Sequence, residues 1–170
     1  FWIMYAVEKP FIFNIKGYIL HLRTTCMNTT THGNKFVLDT CAIINIMKNR
    51  SVADLIKCHI DTENSRVYLN SVSLDEASRK GYDKKQVVSK ISEYLDTLVI
   101  VKDVSDENHI EAQKLEDDCS LIHQGDSAIA AFSVDNKSTL VPSDKGLLKG
   151  CHIVGIPTMN PNMMLGGIKI

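Results

Sequence analysis

The stretch Lys35-Phe36-Val37-Leu38-Asp39-Thr40-Cys41-Ala42-Ile43-Ile44 decides how the rest of the chain is read. Phe36 to Leu38 is a short apolar, β-rich run. It ends on a carboxylate, Asp39, and after Thr40 the sequence turns apolar with helical character. Taken alone, Asp39 says little. Asp and Thr are ordinary N-cap residues, because a side-chain oxygen satisfies the open N–H groups of a first helical turn. A functional reading needs further acids, delivered to the same end of the same sheet.

Working outward, Ala42, Ile43, Ile44, Ile46 and Met47 predict a helix that is apolar nearly all round, broken at Asn49-Arg50-Ser51. Val52, Leu55 and Ile56 suit a further helical turn. Arg66-Val67-Tyr68-Leu69-Asn70 reads as a second buried strand. Ser73-Leu74-Asp75-Glu76 opens the next helix, and Gly81 closes it. Lys84 to Leu95 carries Val87, Val88, Ile91 and Leu95 on one face, the mark of an amphipathic helix. Leu98-Val99-Ile100-Val101 is a third strand. Glu107 to Asp118 is a charged helix, and Gly125-Asp126-Ser127 starts another. Ser138-Thr139-Leu140-Val141 is a fourth strand, Ser143-Asp144 begins a short helix ending at Gly150, and His152-Ile153-Val154 is a fifth strand. Strands alternating with helices predict an α/β fold, a parallel sheet covered on both faces and wound by right-handed crossovers.

Length and composition set the bounds. A chain of 170 residues suits one domain with a core of its own. Hydrophobic content of 44% and charged content of 23% are those of an ordinary globular protein, and a net charge of −1 argues against coating nucleic acid by bulk charge. The five cysteines form no C-x-x-C pair, which argues against a disulfide framework or zinc knuckle and for a reducing, cytoplasmic setting. The plain use of Cys41, Cys58 and Cys119 is as small buried hydrophobes. No apolar run approaches the length of a membrane span. The sequence divides into an extension at 1–34, a domain at 35–157 and a tail at 158–170. Met27 is one candidate start for the compact domain; the alternative is that the residues before it form an edge hairpin packed on the sheet. The tail, with Met163, Met164, Leu165, Ile168 and Ile170, is expected to dock rather than stay free.

Four acids share one kind of address. Asp39 follows the first strand, Glu76 lies a helical turn beyond the second, Asp126 heads a helix, and Asp144 follows the fourth strand. In open parallel sheets, ligands bind beyond the C-terminal strand ends. Each acid also has a plainer use. Asp126 and Asp144 suit helix caps, and Glu76 completes a capping box with Ser73. Caps accept Ser, Thr or Asn equally well, however, and here the junctions supply carboxylates. Carboxylates gathered in one cleft repel unless a cation neutralises them, and hard oxygen donors suit Mg²⁺ or Mn²⁺. Arg79, Lys80, Lys84 and Lys85 follow Glu76, placed either to grip phosphates or to solvate a helix end. His32, His109, His123 and His152 are scattered and show no zinc spacing.

The order and local context of these acids resemble the PIN domain, a family of metal-dependent nucleases. The matching pieces are Phe36-Val37-Leu38-Asp39-Thr40, Val72-Ser73-Leu74-Asp75-Glu76, Gly125-Asp126-Ser127-Ala128-Ile129-Ala130-Ala131 and Leu140-Val141-Pro142-Ser143-Asp144-Lys145. The short layout looks most like the VapC ribonuclease toxins. One departure is Pro142, where the family usually carries Ser or Thr, with Ser143 adjacent. The resemblance implies a three-layer α/β/α domain around a five-stranded parallel sheet. It implies an acidic pocket in which Asp39, Glu76, Asp126 and Asp144 hold one or two Mg²⁺ or Mn²⁺ ions, with Thr40 and Ser143 supporting. It further implies hydrolysis of RNA phosphodiesters, and an antitoxin protein as partner. A housekeeping nuclease that processes rRNA or tRNA, and a catalytically silent module that binds RNA or protein, stay open as alternatives. The apolar surface of residues 42–56 exceeds what one sheet face needs, which predicts a homodimer or an antitoxin contact there.

Overall fold

The strand that ends on Asp39 lies inside the sheet. The computed structural model describes residues 34–160 and, before them, the backbone of β1 (Phe11–Ile15) and β2 (Tyr18–Leu22), which pair antiparallel as a two-stranded sheet of their own. Expectations for a start at Met27 and for the tail beyond residue 160 lie outside the described residues.

The main sheet holds β3 (Lys35–Leu38), β4 (Arg66–Asn70), β5 (Leu98–Lys102) and β6 (Thr139–Val141), in the order β5-β4-β3-β6, all parallel. From β3 the chain steps outward to β4 and β5, then returns to lay β6 on the other side of β3. Strand order therefore reverses between β3 and β6, the place where ligand crevices open in such sheets.

Alternation along each strand splits the core in two, because successive side chains leave opposite faces. Phe36, Leu38, Val67, Leu69 and Val141 join one cluster with Ile43 and Ile46 of α1 (Thr40–Lys48), Ile56 of α2 (Arg50–Lys57), Leu74 of α3 (Ser71–Arg79), and Val87, Ile91 and Leu95 of α4 (Lys84–Leu95). Val37, Tyr68 and Leu140 join the other, with Ala112 and Leu115 of α5 (Asp106–Asp118), Ile129 and Phe132 of α6 (Asp126–Asp135), and Leu147 and Cys151 of α7 (Lys145–Ile153). The result is the three-layer α/β/α arrangement expected.

The strand count is four, not five. His152 and Ile153 finish α7, and its buried face, Leu147, Leu148 and Cys151, has helical spacing while Ile153 is exposed. The place of a fifth strand is marked by a single parallel bridge between Leu140 and Thr158. There the Leu140 N–H donates to Pro157 O at 2.9 Å, and the Met159 N–H donates to Leu140 O at 2.8 Å. Two further expectations change. Cys41 and Cys58 are exposed, whereas Cys119 and Cys151 are buried. Most apolar residues of α1 and α2 lie inside the chain: Ala42, Ile43, Ile46, Ala53 and Ile56 are fully buried and Ile44 nearly so, while Met47, Val52 and Leu55 are partly exposed. The apolar surface left open at residues 42–56 is that of Met47, Val52 and Leu55, less than the sequence suggested.

Candidate active site

Asp39 sits at the strand-order reversal and is 2% exposed. Its Oδ1 accepts from the Ala42 N–H, capping α1, and its Oδ2 accepts from the Ser143 N–H at 3.0 Å, tying the end of β3 to the segment after β6. Burial pushes its carboxyl up to about 6, against the pull of those two N–H donors, and the negative charge of Asp126 adds to the rise.

Glu76 arrives from α3, on the neighbouring strand's side. The expected capping box with Ser73 is not formed. Asn70, at the end of β4, caps α3 instead, accepting from the Ser73 N–H at 2.8 Å. Glu76 is left to the site. Its Oε2 accepts from the Thr40 hydroxyl at 2.7 Å, and its Oε1 lies 3.1 Å from the Lys80 ammonium. The Thr40 hydroxyl and the Lys80 cation hold its carboxyl below the usual range.

Asp126 is the first residue of α6, and it caps nothing. The N-cap position belongs to Gly125, at φ 97°, a conformation that glycine adopts without strain. Among the described residues the Asp126 carboxylate has no hydrogen-bond or salt-bridge partner. Burial raises its carboxyl, as do the like charges of Asp144 and Glu76, while His123 pulls the other way. Asp144 caps α7, accepting from the Leu147 N–H at 2.9 Å. The Ser143 hydroxyl is buried without a partner beside it.

The fold thus puts Asp126 within electrostatic reach of Asp39, Glu76 and Asp144, with Thr40 bonded to Glu76 and the Ser143 N–H to Asp39. Among the described residues no three His, Cys, Asp or Glu side chains stand together as a ready ligand set. The donor chemistry nevertheless fits a hard divalent cation: all four are carboxylates, and Asp126, uncompensated, carries the repulsion a cation relieves. Lys84 is paired with Asp75, Lys80 with Glu76, and Arg79 and Lys85 are exposed. A contact the sequence did not suggest joins the Ser127 hydroxyl to Glu116 of α5, next to Asp126. Nothing in the spacing across the intervening loop announces it. The Lys80–Glu76 pair was legible as an i, i+4 spacing on a helix.

No protein-family model matches the sequence, and no curated protein does. Solved structures do match. A chain of VapBC2 from Rickettsia felis, bound to a DNA fragment from its promoter, is 19% identical with a TM-score of 0.57, over 74% of this chain and 98% of that one. A chain of VapBC-1 from nontypeable Haemophilus influenzae is 16% identical with a TM-score of 0.55, over 75% and 98%. A chain of a toxin-antitoxin complex from Klebsiella pneumoniae is 17% identical with a TM-score of 0.54, over 74% and 96%. Among the described residues, no helix is long and apolar enough to cross a membrane. At these identities the likeness speaks to architecture, and by architecture this chain has a PIN-like α/β fold shared with chains of these VapBC and toxin–antitoxin complexes.

Proposed function

We propose that this protein is an endoribonuclease dependent on Mg²⁺ or Mn²⁺ that hydrolyses RNA phosphodiester bonds, the toxin of a toxin–antitoxin pair. The observation that carries the reading is Asp126. A partly buried carboxylate that caps no helix, has no donor, and feels the like charges of Asp144 and Glu76 is repaid within the fold only by the dipole of α6 and by His123, and burial outweighs them. Its presence makes sense as half of an interaction with a cation.

In this reading Asp39 and Asp126 are the central ligands, with Glu76 and Asp144 flanking. A divalent cation bound there supplies Lewis acidity, which acidifies a water nucleophile and offsets charge building on the phosphoryl group. The chain's own residues do the positioning. Backbone N–H groups of Ala42 and Ser143 fix Asp39, and the Thr40 hydroxyl fixes Glu76. Arg79, beside Glu76 and exposed, is placed for a backbone phosphate of the RNA. The likeness to chains of toxin–antitoxin complexes supports an antitoxin protein as partner. The reading includes a homodimer or antitoxin contact at residues 42–56, where Met47, Val52 and Leu55 keep apolar surface exposed.

The test is cleavage of total RNA by the purified protein with Mn²⁺, with a chelator, and by Asp126→Asn. Fragments with sharp ends are expected from wild type with metal and from neither control. Intact RNA in every arm, with binding retained, would make this a silent RNA-binding module. Cleavage that survives the chelator would remove the metal.

A further inference from the structure

Glu76 meets the site already matched with a cation. Its two oxygens are held differently: Oε2 by the Thr40 hydroxyl at 2.7 Å, Oε1 by the Lys80 ammonium at 3.1 Å. Thr40 is buried at the start of α1 and cannot move far. Lys80 is different. It is the C-cap residue of α3, and its side chain is 47% exposed. An exposed ion pair of this kind contributes little to stability and forms and breaks readily in water. Among the described residues, Lys80 is also the only cation in salt-bridge contact with any of the four acids. Arg79 stands nearby without such a contact, and Lys84 is taken by Asp75.

We propose that the Lys80 ammonium is the resident counter-ion of the acidic pocket, occupying Glu76 in the metal-free protein and competing with a divalent cation for it. The proposal rests on the metal reading above. It assigns Lys80 a use other than gripping phosphate in the resting state. The exposed, flexible ammonium is the displaceable partner, and the buried Thr40 hydroxyl is the permanent one. A divalent cation arriving at Asp39 and Asp126 repels Lys80 and takes over the neutralisation of Glu76. Lys80 therefore lowers the affinity of the site for metal and keeps the empty pocket from accumulating unbalanced charge. A unit charge about 8 Å from a divalent ion in a fully hydrated setting corresponds to roughly fivefold in affinity.

Calorimetric titration of the metal-free proteins with MnCl₂ tests this, using wild type, Lys80→Gln, Lys80→Arg and Asp126→Asn. Lys80→Gln is expected to bind Mn²⁺ about fivefold more tightly than wild type at low ionic strength, with the gap closing as KCl is added and the charge is screened. Lys80→Arg keeps the cation and is expected to match wild type. Thermal melts of the lysine variants, expected at the wild-type temperature, separate charge from folding. Lys80→Gln binding no more tightly than wild type, while Asp126→Asn binds weakly, overturns the counter-ion role and leaves the metal site standing. Wild type binding no Mn²⁺, or Asp126→Asn binding it equally well, overturns the metal reading and this inference with it.

Discussion

Asp39 and Asp126 are two electrostatically coupled carboxylates, built on opposite terms. Asp39 is embedded: both oxygens accept backbone N–H groups, one of which caps α1 while the other joins β3 to the segment after β6. Asp126 is attached to nothing but its own helix, one position past a glycine N-cap. The difference teaches that capping and metal binding are not rival explanations of an acid at a strand–helix junction. Asp39 caps, and it also sits buried at an energetic cost, with its carboxyl raised to about 6. Asp144 caps as well. What marks a site is the acid left over once the caps are accounted for.

The largest expected effect breaks the pair apart. Asp126→Asn should lower cleavage and Mn²⁺ affinity by about a hundredfold or more, while the metal-free protein melts at or above the wild-type temperature, because a repelled charge is gone and no hydrogen bond is lost. A melting temperature well below wild type would mean that Asp126 holds the fold in a way its surroundings do not show.

The second effect is on pH. Metal binds the carboxylate, so Asp39 must lose its proton first. Below about pH 6 the affinity for Mn²⁺ should fall by about tenfold per pH unit. The metal-free fold runs the other way. A carboxyl raised from 3.8 to about 6 contributes stability that is fully present below pH 3.8 and lost as pH rises through 6. Titrations and melts between pH 4 and 7.5 should therefore show opposite slopes. An Mn²⁺ affinity flat across pH 5 to 7 would take Asp39 out of the ligand set.

A smaller effect follows for Asp39→Asn, measured at pH 5, where the native carboxyl is largely neutral. The amide nitrogen cannot accept, so either Ala42 or Ser143 loses its partner, at a cost of about 1–2 kcal/mol. At pH 7.5 the loss should shrink, since the variant no longer buries a charge. From sequence, the same substitution looked harmless to the fold; the Ser143 contact, 104 positions away, is what changes the expectation. The smallest effect is Asp144→Asn. Asn and Asp cap equally well, so stability should stay within about 0.5 kcal/mol while metal affinity drops. Chemical denaturation of the two variants side by side checks both.

How far the sequence could be read depended on whether its signal was local. α4 ran from Lys84 to Leu95 as its apolar spacing demanded, and β4 from Arg66 to Asn70. The acids were found because each stands beside a strand or helix end. Two readings failed for a shared reason: two local patterns competed. His152-Ile153-Val154 has strand composition, but Leu147, Leu148 and Cys151 three and four positions apart carry the buried face of a helix. Ser73 and Glu76 spell a capping box, but Asn70, one turn earlier, captures the same N–H group. Of the apolar residues at 42–56, Ala42, Ile43, Ile46, Ala53 and Ile56 go into the core, while Met47, Val52 and Leu55 stay partly exposed. Ser143 to Asp39 and Ser127 to Glu116 are tertiary contacts that no spacing encodes.

The two sides of the sheet end differently, and this sets how copies of the chain can meet. Beside β6, Pro157, Thr158 and Met159 have already taken the outward hydrogen bonds of Leu140. Beside β5 no strand follows among the described residues, and Leu98 and Val101 are the exposed ones there, at 59% and 50%. A sheet with two open margins extends without limit, one molecule after another, as fibres do. A sheet with a single open margin joins once and then has nothing further to offer. Among the described residues the open margin of the main sheet is the β5 side, so a strand added to that sheet from outside joins there.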